Sequence, residues 1–144
     1  MPELRDLTTP ALAYLGDCVL ELCVRRYLVL EEGLSTSAHL NRRALQFVSA
    51  PVQSAAMDRI ELHLTEEELA VFKRGRNMGH SNVPKRATVR EYRRATGMEV
   101  LFGYLWVQGL EERADTLFRI GYGVASSPTP VQTSLHSTQE SIET

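Results

Sequence analysis

Apolar residues along this chain recur every three or four positions and nowhere alternate one by one, so it carries the pattern of helices and lacks that of strands. Leu12, Leu15, Val19, Leu22 and Cys23 mark a first helix from Pro10 to about Glu32, stopped by Gly33. Ser35 and Ser37 are positioned to cap a second, carrying Leu40, Ala44, Phe47 and Val48. Ser49, with Pro51 in the following turn, starts a third that ends near His63. Thr65 and Glu68 have capping-box spacing and open a short helix with Leu69, Phe72 and Lys73. The stretch from Gly75 to Pro84 is dense in turn formers and reads as a loop. A long helix from about Thr88 to Gln108 follows, then a last one from Leu110 to about Tyr122 with Ala114, Leu117, Phe118 and Gly121 on one stripe. The expected fold is all-α, with six to seven helices over residues 1–124. Residues 125–144, dominated by Ser, Thr, Pro and Gln, have the composition of a disordered tail.

Composition narrows the function classes. At 144 residues, 43% hydrophobic and 24% charged, the chain can build one domain with a proper core. No apolar run reaches the roughly 18–20 residues that span a bilayer. The longest, Val19 to Leu30, is interrupted by Glu21, Arg25 and Arg26. The N-terminus lacks the pattern of a secretory signal and is too acidic for a transit peptide, so a cytoplasmic protein is expected. Cys18 and Cys23 lie on different helical faces, with no flanking Cys or His of a zinc site, and read as two small buried thiols in a reducing compartment.

Two carboxylates stand out. Asp17 sits in Leu15-Gly16-Asp17-Cys18-Val19-Leu20, inside a helix that is apolar on most of its circumference. Glu99 sits likewise in Gly97-Met98-Glu99-Val100-Leu101-Phe102-Gly103. Glycine costs about 1 kcal/mol in a helix interior, so Gly16, Gly97 and Gly103 suggest two backbones in close approach. Helices crossing there bring both acids together in a low-dielectric wall, where they need a divalent cation, a shared proton or a basic partner. Residue types alone leave a metal site and an ordinary ion pair both open. Glu21, one turn after Asp17, is a further ligand or the i, i+4 partner of Arg25.

A net charge of −2 hides an asymmetry. Between residues 73 and 94, eight Lys and Arg stand against the single acid Glu91, a local charge of +7. Residues 1–72 carry −5. Lys73, Arg74, Arg76 and Asn77 before the loop, Lys85 and Arg86 after it, and Arg90, Tyr92, Arg93 and Arg94 on the next helix suit phosphate contacts. His80, in the loop itself, is a candidate RNA contact, whereas His39, His63 and His136 read as surface or core residues. A solvated helix end is the ordinary reading of such a run. Its excess without local acids favours a polyanion.

The segment Ala13-Tyr14-Leu15-Gly16-Asp17-Cys18-Val19-Leu20-Glu21-Leu22 resembles the signature helix of the ribonuclease III catalytic domain, E-F-L-G-D-A-V-L-E-L, and Glu99 to Leu105 resembles that family's second acidic helix. The closer likeness is to the Mini-III branch, which has the catalytic domain alone and shares Lys73-Arg74-Gly75-Arg76-Asn77, Pro84-Lys85, Tyr92-Arg93 and Ala95-Thr96. The resemblance covers about residues 8–123.

It implies the ribonuclease III endonuclease fold, a homodimer with Mg²⁺ in each of two sites, and hydrolysis of double-stranded RNA to 5′-phosphate ends. It also implies trimming of large-subunit (23S) ribosomal RNA precursor. Asp17 and Glu99 match two of the four metal-site acids. Ala13 and Thr96 stand where the long enzymes have the other two, as in the Mini-III branch itself, which implies a leaner site with weaker metal affinity. The cation there lowers the pKa of a water and polarises the scissile phosphate. Residues after Tyr122 are too few for the double-stranded-RNA-binding domain of the long enzymes, so the basic segment is expected to grip RNA through its phosphates and 2′-hydroxyls. Site specificity then falls to RNA shape or to a ribosomal protein acting as cofactor. The alternatives are a catalytically dead RNA-binding dimer of the same fold and, third, a helical scaffold without RNA. The surviving acid pair argues against the former, because alanine or leucine in place of buried acids would be more stable.

Overall fold

A computed structural model of the chain describes residues 2–79, 83 and 85–125. Six α-helices run in order: α1 (Thr9–Leu30), α2 (Ser37–Val48), α3 (Ala50–Ile60), α4 (Glu66–Arg76), α5 (Val89–Val107) and α6 (Glu111–Tyr122), with single 3₁₀ turns at Leu4–Asp6 and Glu61–His63. No strand occurs among the described residues, as the all-α expectation requires. The Ser/Thr/Pro-rich tail lies outside the described residues apart from Ala125.

Most helix ends follow from local chemistry. The Thr8 hydroxyl accepts from the Ala11 N–H at 3.2 Å, and Pro10 occupies the first turn of α1, where its missing N–H costs nothing. Thr65 with Glu68, and Thr88 with Glu91, close reciprocal capping boxes on α4 and α5. Gly123, at φ 65°, ends α6 in the left-handed conformation. The cap of α2 is Thr36, which accepts from the His39 N–H, rather than the expected Ser35 or Ser37. Three hydroxyl residues compete there, and only the one immediately before the first helical residue can reach its third N–H.

Helix α5 is the axis of the domain, with α1, α4, α3 and α6 packed around it. Met98, Val100, Leu101 and Phe102 have no exposed surface. At Gly16, a Cβ would lie 1.6 Å from the Glu99 carbonyl oxygen and 2.9 Å from the Gly103 nitrogen; at Gly103, one would lie 2.2 Å from the Leu12 carbonyl oxygen. Backbone therefore touches backbone where α1 crosses α5. Gly97 serves a different crossing, facing the Phe72 ring of α4, while Gly75 meets Val100 and the Gly97 Cα. That packing keeps Gly75 and Arg76 helical, so the turn after α4 begins at Asn77 rather than at Gly75.

Tyr27, Phe47, Phe118 and Tyr122 form an aromatic cluster joining α1, α2 and α6. The Tyr122 hydroxyl donates to the Phe47 carbonyl at 2.8 Å. Arg119, almost buried, is gripped by Glu31 and Asp115. Burial pushes the Cys23 thiol up to about 11, whereas Cys18 is exposed, which corrects the expectation of two buried thiols. No described helix is long and apolar enough to cross a membrane.

Candidate functional site

The backbone contact at the α1–α5 crossing sets the geometry of the acid pair. Asp17 directly follows Gly16, and Glu99 is the residue whose carbonyl Gly16 touches. The two carboxylates are close enough to interact. Glu99 is pushed up to about 8, first by burial and second by the negative charge of Asp17. The burial is unequal, though: Glu99 is half-buried and Asp17 is exposed. The expected wall enclosing both acids is thus corrected to an open-sided one. The apolar circumference of α1 is wider than the face it buries, with Tyr14 88%, Leu22 47% and Val29 48% exposed, and Asp17 lies on that outward side.

Without a cation, burial and the neighbouring Asp17 favour the protonated form of Glu99. Asp17 and Glu99 would hold a divalent cation between them, whose charge would offset their repulsion and the burial of Glu99. The donor set fits a hard, oxygen-liganded ion that keeps several waters. Among the described residues, no group of three or more His, Cys, Asp and Glu assembles a fuller metal cage. Ala13 and Thr96, at the positions of the two missing acids, are both buried, and the Thr96 hydroxyl donates to the Tyr92 carbonyl at 3.0 Å. Glu21 pairs with Arg25 at 2.7 Å, so its ligand role has a competitor on its own helix.

The basic segment divides by burial. Lys73, Arg74 and Asn77 are exposed at the end of α4, Lys85 and Arg86 in the turn before α5, and Arg93 on its second turn. Arg76 and Tyr92 are half-buried; the Arg76 guanidinium lies 5.9 Å from the Phe72 ring centroid. His80 lies outside the described residues. Acids distant in the chain nevertheless reach the segment in space. Asp58 on α3 meets Arg94 at 2.8 Å and Arg90 at 3.4 Å, and Glu61 meets Arg94 at 2.8 Å. These partners are some 30 residues away in the chain, so a local charge count misses them. Arg94 belongs to the core as much as to the basic face, with 5% of its surface exposed.

Comparison with known proteins gives this geometry a context. The Ribonuclease III domain family matches residues 10–110. The Mini-ribonuclease 3 of Clostridium tetani is 36% identical over 118 residues, covering 82% of this chain and 78% of its own. That of Symbiobacterium thermophilum is 44% identical, covering 74% and 83% respectively. A crystal structure of a protein from Fusobacterium nucleatum superimposes with a TM-score of 0.73 at 30% identity, over 83% of this chain and 95% of that one.

Proposed function

This chain belongs to the ribonuclease III family, in its Mini-ribonuclease 3 branch, and is an endoribonuclease; from that premise we propose that it cuts double-stranded RNA with Mg²⁺ held by Asp17 and Glu99. The observation that supports the reading is the α1–α5 crossing, where Gly16 and Gly103 let two backbones touch beside Asp17 and Glu99, whose carboxyl groups interact. When bound, the cation supplies charge stabilisation at the scissile phosphate and a more acidic attacking water. Glu99, anchored on the central helix, fixes the position of the site, and Asp17 faces the solvent from which RNA arrives. Lys73, Arg74, Arg76, Asn77, Lys85, Arg86, Tyr92 and Arg93, together with His80 of the intervening loop, hold the phosphates of the duplex. With two protein carboxylates the site holds its metal weakly and works at millimolar Mg²⁺. The natural substrate is the precursor of 23S ribosomal RNA in the cytoplasm, with a ribosomal protein shaping it.

The working unit of the proposal is a homodimer, in line with the family's general habit. Val24, Leu28, Val29, Leu40, Leu45 and Val48 line a groove of about 580 Å³ between α1 and α2. Exposed Tyr14, Leu22, Val29, Leu45 and Val48 form the apolar surface that a second copy covers. The test is cleavage of a long RNA duplex, with Mg²⁺ or with EDTA, by wild type and Asp17→Asn. Metal-dependent cutting lost in the variant supports the assignment. Cutting that survives Asp17→Asn refutes it, and duplex bound without cutting by wild type favours the RNA-binding dimer or a stricter structured substrate.

A further inference from the structure

Where the C-terminal end of α4 meets the N-terminal end of α5, Arg76, Asn77, Val89, Arg90, Arg93 and Arg94 line a cavity of about 400 Å³. Four guanidinium groups here face two carboxylates, Asp58 and Glu61. The other acid at this end of α5, Glu91, accepts from the Thr88 N–H at 2.9 Å in the capping box. A surplus of positive charge therefore remains, and the N-terminal end of α5 adds the positive pole of its dipole.

Arg94 supplies the second observation. Its side chain is 7% exposed, its guanidinium lies 5.2 Å from the Phe72 ring centroid, and its Nε–H is buried with no hydrogen-bond partner among the described residues. A buried donor left unused is costly, so native structures rarely keep one without a water or a ligand to receive it. Arg93, beside it, is exposed and makes no ion pair among the described residues. Arg76 donates through Nε to the Asn77 Oδ1 at 3.2 Å, which orients its guanidinium at the rim. Planar guanidinium forks match the oxygens of a phosphate.

We propose that this cavity is a discrete subsite for one phosphate of the RNA backbone, received by Arg93 and Arg76 with Arg94 behind them, and that Asp58 competes with that phosphate for Arg90 and Arg94. The inference rests on the RNA-duplex reading above and adds to it a single preferred linkage and a built-in competitor. Six residues, about 9 Å of helix axis, separate Arg93 from Glu99.

The experiment measures binding of a fluorescent RNA duplex in EDTA, where cleavage is blocked, while neutral methylphosphonate linkages are placed one at a time along each strand. One linkage in each strand, the two related by the dimer's symmetry, is expected to weaken binding by about 10-fold or more, the scale of a lost charged hydrogen bond. The same linkage should cost nothing further in Arg93→Gln. Asp58→Asn should tighten binding of the unmodified duplex by roughly 3-fold, and the gain should vanish when the sensitive linkage is neutral, whereas a general charge effect would persist there; thermal melts verify that both variants fold. Loss spread evenly over all linkages, or an undiminished linkage effect in Arg93→Gln, overturns the subsite and leaves the RNA reading intact. Inorganic phosphate at constant ionic strength is the second probe. If it raises the melting temperature through Arg93 while no linkage matters, the cavity serves a free anion and the RNA assignment is overturned. If wild type binds no duplex at any salt, both readings fall together.

Discussion

Replacing Gly16 by alanine tests the crossing on which the site depends. The added Cβ would lie 1.6 Å from the Glu99 carbonyl oxygen and 2.5 Å from its carbon, whereas a carbon in ordinary contact needs about 3.5 Å. Both obstacles are helical backbone, so no rotamer change relieves them, and α1 must move away from α5 by nearly 2 Å. A gap of even 0.5–1 Å forfeits about a quarter to a half of each dispersion contact, and the helices that part here hold much of the core, including Leu12, Val19, Leu20, Met98 and Phe102. Overpacking typically costs about 1–3 kcal/mol, with larger values where the site cannot yield. We expect about 3–5 kcal/mol for Gly16→Ala, a large share of the roughly 5–15 kcal/mol that holds a domain. Urea titration reads the loss directly, and the melting temperature should fall by about 10–15 °C. The control is Gly33→Ala, where φ is +69° and nothing lies within 4 Å, so only the left-handed strain of about 1–2 kcal/mol applies. If Gly16→Ala costs no more than Gly33→Ala, the close crossing is refuted, and with it the geometry that unites Asp17 and Glu99.

Arg94→Ala should destabilise by about 1–2 kcal/mol, chiefly through the lost packing of the Arg94 side chain on Phe72, whereas Arg93→Ala should change stability by less than about 0.5 kcal/mol; paired urea titrations separate the two. Replacing Arg74, Arg76 and Lys85 together with alanine should weaken duplex binding and lower its salt slope by about 2–3. Unchanged binding between 50 and 200 mM salt (roughly the range in which such contacts register) would sink the phosphate assignment. Hydrogen bonds from Arg113, and secondarily the Thr65 backbone, hold the Glu68 carboxyl below its ordinary value. Its stabilisation is complete above the unfolded pKa of about 4.5 and is lost as pH falls through the lower folded value. Glu68→Gln should therefore flatten the acid limb of a stability–pH curve, and an unaltered limb counts against the pair.

Sequence by itself determined the helices and the two acids. Period, capping boxes at Thr65 and Thr88, and terminal glycines are local signals, and the energies behind them act within one or two turns. Gly16 and Gly103 were legible for a related reason: glycine in a helix interior has a cost that only close packing offsets, so the residue type itself announces a crossing. Which helix each glycine meets is not encoded locally. Gly97 has the same signature and faces Phe72 of α4 instead. Periodicity marks how wide an apolar face is and cannot say which part of it another helix covers, so the exposure of Asp17, Tyr14 and Leu22 was decided by how α1 lies on α5. Charge acts in the same way at longer range. The arginine run was visible as a local excess, but Asp58 and Glu61 reach Arg90 and Arg94 only after α3 has packed beside α5. Tertiary structure thereby turned a uniform basic stretch into a buried ionic anchor and an open, solvent-facing rim, because pairing and burial depend on distance in space rather than along the chain.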